Sequence, residues 1–242
     1  MEIPNPKQLS IIEAFIAQGV DYLILIPNDA TAVVDVINQA ANQNIPVFLV
    51  DSGADESEYV SYIGTDNFAG GELAAKWFGE NLTGQVAIID GAAGNAATTA
   101  RYKGFMNQIE AYPNIEVVTV DYGNGDMGTS MTVAENFLTA YPNLVGIFAC
   151  DDQMAQGAGQ AVVSRGLADK VTVCGFDGSP DGAQAILDGV MDVTIAQQPR
   201  LMGKTAVEYI KKYEQGETIE PIIYTACEVV TIDNASSFLS WH

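Results

Sequence analysis

The residues best suited to chemistry fall in one run, Val171-Thr-Val-Cys-Gly-Phe-Asp-Gly-Ser-Pro-Asp-Gly182. The β-branched start at 171–173 reads as a strand, and Gly175 and Gly178 break it. Ser179-Pro180 then reads as a helix start, since Ser is a good N-cap and Pro suits the first helical position. Asp177 is therefore expected on a loop just past the carboxyl end of a strand, where ligands bind in open α/β sheets. Ionised, it is an acceptor only and can take two hydroxyl donors at once. It could equally do no more than cap backbone N–H groups of the turn. The local sequence leaves both roles open.

The elements that must position this aspartate follow from apolar spacing. Residues 7–18 carry apolar side chains at 9, 11, 12, 15 and 16, which is helical, and Gly19 is the expected residue past the helix end. Residues 20–26 form a near-continuous apolar run, the mark of a parallel strand covered on both faces. A helix over 30–43 follows, then a strand over 45–50 that ends at Asp51-Ser52-Gly53. Further strands are expected at 59–64, 85–90, 115–121, 144–150, 171–177, 193–196, 222–225 and 228–232. Helices are expected at 68–80, 99–111, 129–140, after Asp151-Asp152 to about 165, at 180–188 and at 200–214. Strand–helix–strand alternation at this spacing means βαβ units and an α/β fold.

A weak internal repeat organises the chain. The first copy runs strand, Asn28-Asp29, helix, strand, Asp51; the second runs strand, Asp151-Asp152, helix, strand, Asp177. The polar pair and the aspartate are 23 residues apart in one copy and 26 in the other. Two lobes of this build, with carboxylates and amides at their strand ends, suit a small polyhydroxylated ligand in a cleft between them.

Composition excludes several function classes. The 242 residues carry a formal net charge of -21, from 31 acidic and 10 basic residues, which repels nucleic acid and anionic membrane surfaces. No apolar run reaches the ~18 residues of a membrane span. The sole histidine is His242, the last residue, so histidine-based catalysis and a histidine metal site are not expected. Cys150, Cys174 and Cys227 are odd in number and flank apolar runs, so buried thiols rather than a disulfide framework are expected. Met1-Glu-Ile-Pro-Asn-Pro lacks the basic segment and apolar core of a signal peptide.

The loop Gly91-Ala-Ala-Gly-Asn-Ala-Ala-Thr98 has neither the Gly-Lys-Ser/Thr ending of a P-loop nor G-x-G-x-x-G spacing, so no nucleotide is expected there. The acidic set Asp51, Asp151, Asp152 and Asp177 lacks EF-hand spacing. No metal and no cofactor are expected, and the chain is read as a binding protein, not an enzyme. Trp77 falls at helical spacing with Leu73 and reads as a core residue.

Taken together, Gly64-Thr-Asp-Asn67, Arg101-Tyr-Lys-Gly-Phe105, Ile147-Phe-Ala-Cys-Asp-Asp-Gln-Met-Ala155, Gly175-Phe-Asp-Gly-Ser-Pro-Asp-Gly182 and Ile195-Ala-Gln-Gln-Pro199 resemble the type I periplasmic binding proteins of sugar ABC importers, ribose-binding type. The motifs stand in the family order and span nearly the whole chain. The resemblance implies two doubly wound parallel-sheet lobes, 1–65 plus 198–226 and 66–197 plus 227–242, with crossovers near Thr65, Gln197-Gln198 and Ala226-Cys227. It also implies a location in the periplasm or outside the cytoplasm, a small sugar or sugar-like ligand, and the transmembrane subunits of an ABC permease as partners.

By the same resemblance the ligand-binding positions are Asp51, Ser52, Thr99, Asp151, Asp177 and Gln197. Asp51, Asp177 and Gln197 keep the family's residue types. Asp151 stands where ribose binders usually have Asn, and Ser52 and Thr99 stand where they have sugar-contacting Arg. Two donors lost and a carboxylate gained point to a ligand with more donors than ribose, an amino-bearing one included. Family members also open with a strand, a helix and a second strand ahead of the segment that Asn5-Pro6 matches, so the first lobe is expected to be incomplete, with residues 21–26 left as an uncovered apolar edge.

Two other readings have stated requirements. The effector-binding core of a lactose-repressor-type regulator requires a helix-turn-helix and a basic arm, which this sequence lacks. A carboxylate glycoside hydrolase requires one acid of raised pKa beside an ionised partner.

Overall fold

The protein is described here from a computed structural model, over residues 5–241. Strands and helices alternate along it: α1 (Asn5–Gln18), β1 (Leu23–Leu25), α2 (Val34–Asn42), β2 (Val47–Val50), β3 (Ser61–Thr65), α3 (Asn67–Asn81), β4 (Gly84–Asp90), α4 (Ala96–Ile109) and β5 (Ile115–Tyr122). Then come α5 (Met127–Ala140), β6 (Leu144–Ala149), α6 (Asp152–Ser164), β7 (Thr172–Asp177), α7 (Pro180–Leu187), β8 (Val193–Ala196), α8 (Pro199–Glu214), β9 (Ile222–Thr225) and β10 (Glu228–Thr231). The chain divides into two compact units, one of residues 1–65, 94–97 and 198–226 and one of residues 66–93, 98–197 and 227–242.

The first unit is a parallel sheet of order β1-β2-β3-β9. Alternation along β2 divides its core. Val47 and Leu49 pack with Ile12 and Ile16 of α1 and with Val36 and Ile37 of α2. Phe48 and Val50 point the other way, onto Met202 and Ala206 of α8. β1 departs from the expectation of a strand covered on both faces. Leu23 and Leu25 are buried, but Ile24 and Ile26 are about half exposed. The reason is positional: β1 is an edge strand, and α8 lies over β2 and β3.

The second unit is a six-stranded sheet of order β10-β8-β7-β6-β4-β5, parallel except for β10 against β8. Its core is aromatic. Phe105 stacks on Phe148 at 4.7 Å and meets the edge of Phe78 at 5.3 Å. Trp77 is half-buried and packs against this core. Cys150 and Cys174 are buried as expected, while Cys227 is only half-buried; none is in a disulfide.

α3 and α4 approach closely because both present glycine at the contact. A Cβ on Gly71 would lie 2.0 Å from the Arg101 carbonyl oxygen, and one on Gly104 would lie 2.0 Å from that of Phe68. This contact sets where Arg101 emerges.

Candidate functional site

The carboxyl edge of the second unit's sheet gathers side chains from four strands and a helix. Asp177 ends β7, and Gln197 follows β8 beside it, its N–H donating to the Asp177 carbonyl at 3.0 Å. The Gln197 side-chain amide donates to Asp177 Oδ1 at 2.6 Å. Arg101 reaches the same oxygen from α4, Nη1 to Oδ1, at 3.1 Å.

Arg101 is itself buried, with 3% of its surface exposed. Its Nε donates to Asn67 Oδ1 at 2.8 Å and its Nη1 to the Cys150 carbonyl at 2.8 Å. Its guanidinium lies 3.9 Å over the ring of Phe176. A planar guanidinium suits this setting, because it donates in a fixed fork and stacks on an aromatic face at once. A buried cation is costly without a counter-charge, and Asp177 supplies it.

Backbone geometry marks Asp177 as well. Its φ is 125°, a conformation that costs an L-residue about 1–3 kcal/mol. Gly178 follows with φ 63°, and a Cβ there would fall 2.2 Å from the Cβ of Ala196. Ser179 then caps α7 as expected, its hydroxyl accepting from the Gly182 N–H at 2.9 Å, with Pro180 at the first helical position.

The two expected acidic neighbours after β6 separate. Asp151 caps α6 in extended backbone, its Oδ1 accepting from the Met154 N–H at 2.6 Å. Asp152 corrects the sequence reading: it is not at the rim but 2% exposed, turned inward beneath it. Its Oδ2 accepts from the N–H and the hydroxyl of Ser179, each at 2.7 Å, and its Oδ1 from Thr194 Oγ1 at 2.5 Å. Burial pushes its pKa up to about 6, against the opposing effect of these donors. Asp152 thus ties the start of α7 to β8 and holds Asp177 and Gln197 in register.

Thr99 lies in the first turns of α4, half-buried, two residues ahead of Arg101. Asp90 ends β4, largely buried, with Oδ1 accepting from the Gly91 N–H at 2.7 Å; burial raises its pKa.

Asp51 and Ser52 sit at the carboxyl end of β2 in the first unit. Asp51 has φ 66°, so both aspartates of the internal repeat occupy the left-handed half of backbone space. The Asp51 carbonyl accepts from the Tyr62 hydroxyl at 2.8 Å. Ser52 is 3% exposed, and its hydroxyl makes no hydrogen bond. In the earlier polar pair, Asp29 Oδ1 accepts from the N–H groups of Thr31 and Ala32, and the Asn28 N–H donates to the Gln8 side chain.

The structure thus brings Asp177, Gln197 and Arg101 into direct contact in the second unit, beside the end of β6 that carries Asp151. Sequence reasoning named Arg101 only as part of a motif and missed Asn67 and Phe176 as its supports. The signal available was a lone arginine on an apolar and small-residue helix.

Comparison with known proteins matches residues 3–218 to the family model described as periplasmic binding protein domain. The ribose import binding protein RbsB of Bacillus subtilis (strain 168) is 34% identical over 229 residues, 94% of this chain and 74% of that protein. RbsB of Escherichia coli (strain K12) is 35% identical over 219 residues, 89% of this chain and 73% of that protein. Among solved structures, a periplasmic solute binding protein of Actinobacillus succinogenes 130z with bound D-allose superposes with a TM-score of 0.90 at 33% identity. It is matched over 96% of this chain and 84% of its own. A solute binding protein of Agrobacterium radiobacter in complex with D-arabinose gives 0.91 at 29% identity, over 98% and 84%. With its two parallel-sheet units and carboxylate-tipped strands, the chain belongs to the periplasmic binding protein domain family and is a type I, ribose-binding-protein-like member of it.

Proposed function

We propose that this protein captures a small sugar or sugar-like ligand and delivers it to the transmembrane subunits of an ABC importer outside the cytoplasm, without chemical turnover. The observation that carries this reading is the Asp177 carboxylate, fixed by Arg101 and Gln197 at the carboxyl edge of the sheet. A carboxylate so held is pre-oriented to accept from sugar hydroxyls, and pre-orientation lowers the ordering cost of binding. Charge-assisted hydrogen bonds of this kind are roughly twice as strong as neutral ones.

In this proposal Gln197, Asp151 and Thr99 line the same edge in the second lobe, and Asp51 and Ser52 are the first lobe's contribution. The buried, unbonded Ser52 hydroxyl supports that assignment, since an unmet buried hydroxyl costs about 1–3 kcal/mol. The names of the relatives support the ligand class: ribose, allose, galactofuranose and fructose each appear among them. Among the described residues no helix is long and apolar enough to cross a membrane.

Isothermal titration with D-ribose, D-allose, D-fructose and D-arabinose tests the reading. One of them should bind, and Gln197→Ala should weaken it about tenfold or more, as expected for loss of a bond to a charged group. Saturable binding that Gln197→Ala and Asp151→Ala both leave unchanged would place the ligand elsewhere.

A further inference from the structure

The amino-terminal edge of the first unit's sheet carries a second concave feature. It is a cavity of about 260 Å³ lined by Ala41, Asn44, Ile45, Pro46, Glu58, Tyr59, Val60 and Tyr213. Its floor is the start of β2 and β3, so it lies at the opposite end of the strands from Asp51. A four-residue strand at about 3.3 Å per residue separates the two by roughly 13 Å.

The lining has a definite chemistry. It holds a carboxylate, an amide and two phenol rings, and no lysine or arginine. Glu58 is exposed, and Asn44 and Tyr59 line the cavity beside it. The Tyr213 ring makes edge contacts with Tyr22 at 6.4 Å and Phe48 at 6.0 Å. Behind it, burial and the neighbouring Glu214 charge raise the pKa of Tyr22, which places a second carboxylate near the aromatic cluster. Asn44 adopts φ 59°, and its own N–H is bonded to Ala41 at 2.9 Å, so the turn that carries it is tightly built.

Aromatic faces attract organic cations, and an adjacent carboxylate adds a counter-charge. At about 260 Å³ the cavity is just under the ~300–1,000 Å³ of drug-sized sites. We propose that this cavity is a second binding site, separate from the carboxyl-edge site, for a small organic cation such as a quaternary or primary ammonium. Glu58 neutralises the cation's charge, Tyr59 and Tyr213 present ring surface, and Asn44 supplies an acceptor.

The test is an NMR titration of amide shifts in the full chain, using choline and its neutral isostere 3,3-dimethylbutan-1-ol. Choline should shift the amides of Asn44, Ile45, Glu58, Tyr59 and Val60 and saturate in the millimolar range, roughly the affinity of a few weak contacts. The alcohol should bind at least about fivefold more weakly, and Glu58→Gln should weaken choline about three- to fivefold. Glu58 is exposed, and its backbone N–H donates to Asn38 Oδ1, a bond that Glu58→Gln keeps, so the variant keeps the fold. Asp177→Asn should leave the choline titration unchanged. Equal affinity for the alcohol, indifference to Glu58→Gln, loss of choline shifts in Asp177→Asn, or no shift at the cavity amides would each overturn the proposal.

Discussion

Replacing Asp177 tests the Arg101 pair and the strained backbone together. Truncating one partner of a fully buried ion pair costs about 3–5 kcal/mol. Here the Asp177 side chain is 23% exposed, and Arg101 keeps its bonds to Asn67 and to the Cys150 carbonyl. The loss in Asp177→Ala should therefore be smaller, about 1–3 kcal/mol. For a chain of this size each kcal/mol moves the melting midpoint by about 2–4 °C, so a fall of roughly 3–10 °C is expected.

Asp177→Gly removes the same carboxylate but accepts φ 125° without strain, and should recover about 1 kcal/mol relative to Ala. Asp177→Asn keeps an acceptor oxygen and tolerates positive φ better than Ala, so it should be the most stable of the three. The assay is thermal unfolding followed by circular dichroism in the absence of sugar. An Ala variant that melts with the parent protein, or that is more stable than the Gly variant, would refute the geometry on which the site rests. A practical consequence follows. Because Asp177→Ala disturbs both the Arg101 pair and the backbone, Asp177→Asn is the cleaner test of the carboxylate.

Asp152 should make stability depend on pH. Its pKa in the folded protein is raised to about 6 from 3.8, so between those values the folded state binds more protons than the unfolded state. Stability from this group is thus greatest below the unfolded pKa and falls as pH rises toward 6. Urea unfolding from pH 4 to 7 should show that fall, and Asp152→Asn should flatten it; an unchanged slope in the variant would contradict the assignment. Gly71→Ala should push α4 away from α3, because its Cβ would meet the Arg101 carbonyl oxygen at 2.0 Å. A loss of about 1–3 kcal/mol with weakened sugar binding is expected from such overpacking, read by denaturant titration; wild-type stability would count against the close contact.

Much of this arrangement is legible in the sequence because its signals are local. Ser179-Pro180 announces the start of α7 through capping chemistry alone, and the structure has it there. The repeat of Asp51 and Asp177 at strand ends also survives, down to the positive φ of both residues. What is not legible depends on long-range neighbours. Asp151 and Asp152 are the same letter twice, yet one caps a helix at the rim and the other turns inward to Thr194, 42 residues along the chain. The Arg101–Asp177 pair spans 76 residues, and no local pattern encodes it. β1 is shorter than its apolar run because an edge strand has a partner on one side only; the run alone reads as a covered strand, and only the resemblance marks residues 21–26 as an edge.

The central claim, that the protein holds a sugar through Asp177 and Gln197, is tested most directly by thermal unfolding with a panel of D-ribose, D-allose, D-arabinose, D-fructose and amino sugars. A ligand at a hundred times its Kd stabilises by about 2.7 kcal/mol, which in this chain is a rise of roughly 5–10 °C. The account predicts such a rise for one sugar in the parent protein and its loss in Asp177→Asn. A cooperative transition that no sugar in the panel moves, or a rise that survives intact in Asp177→Asn, would contradict it.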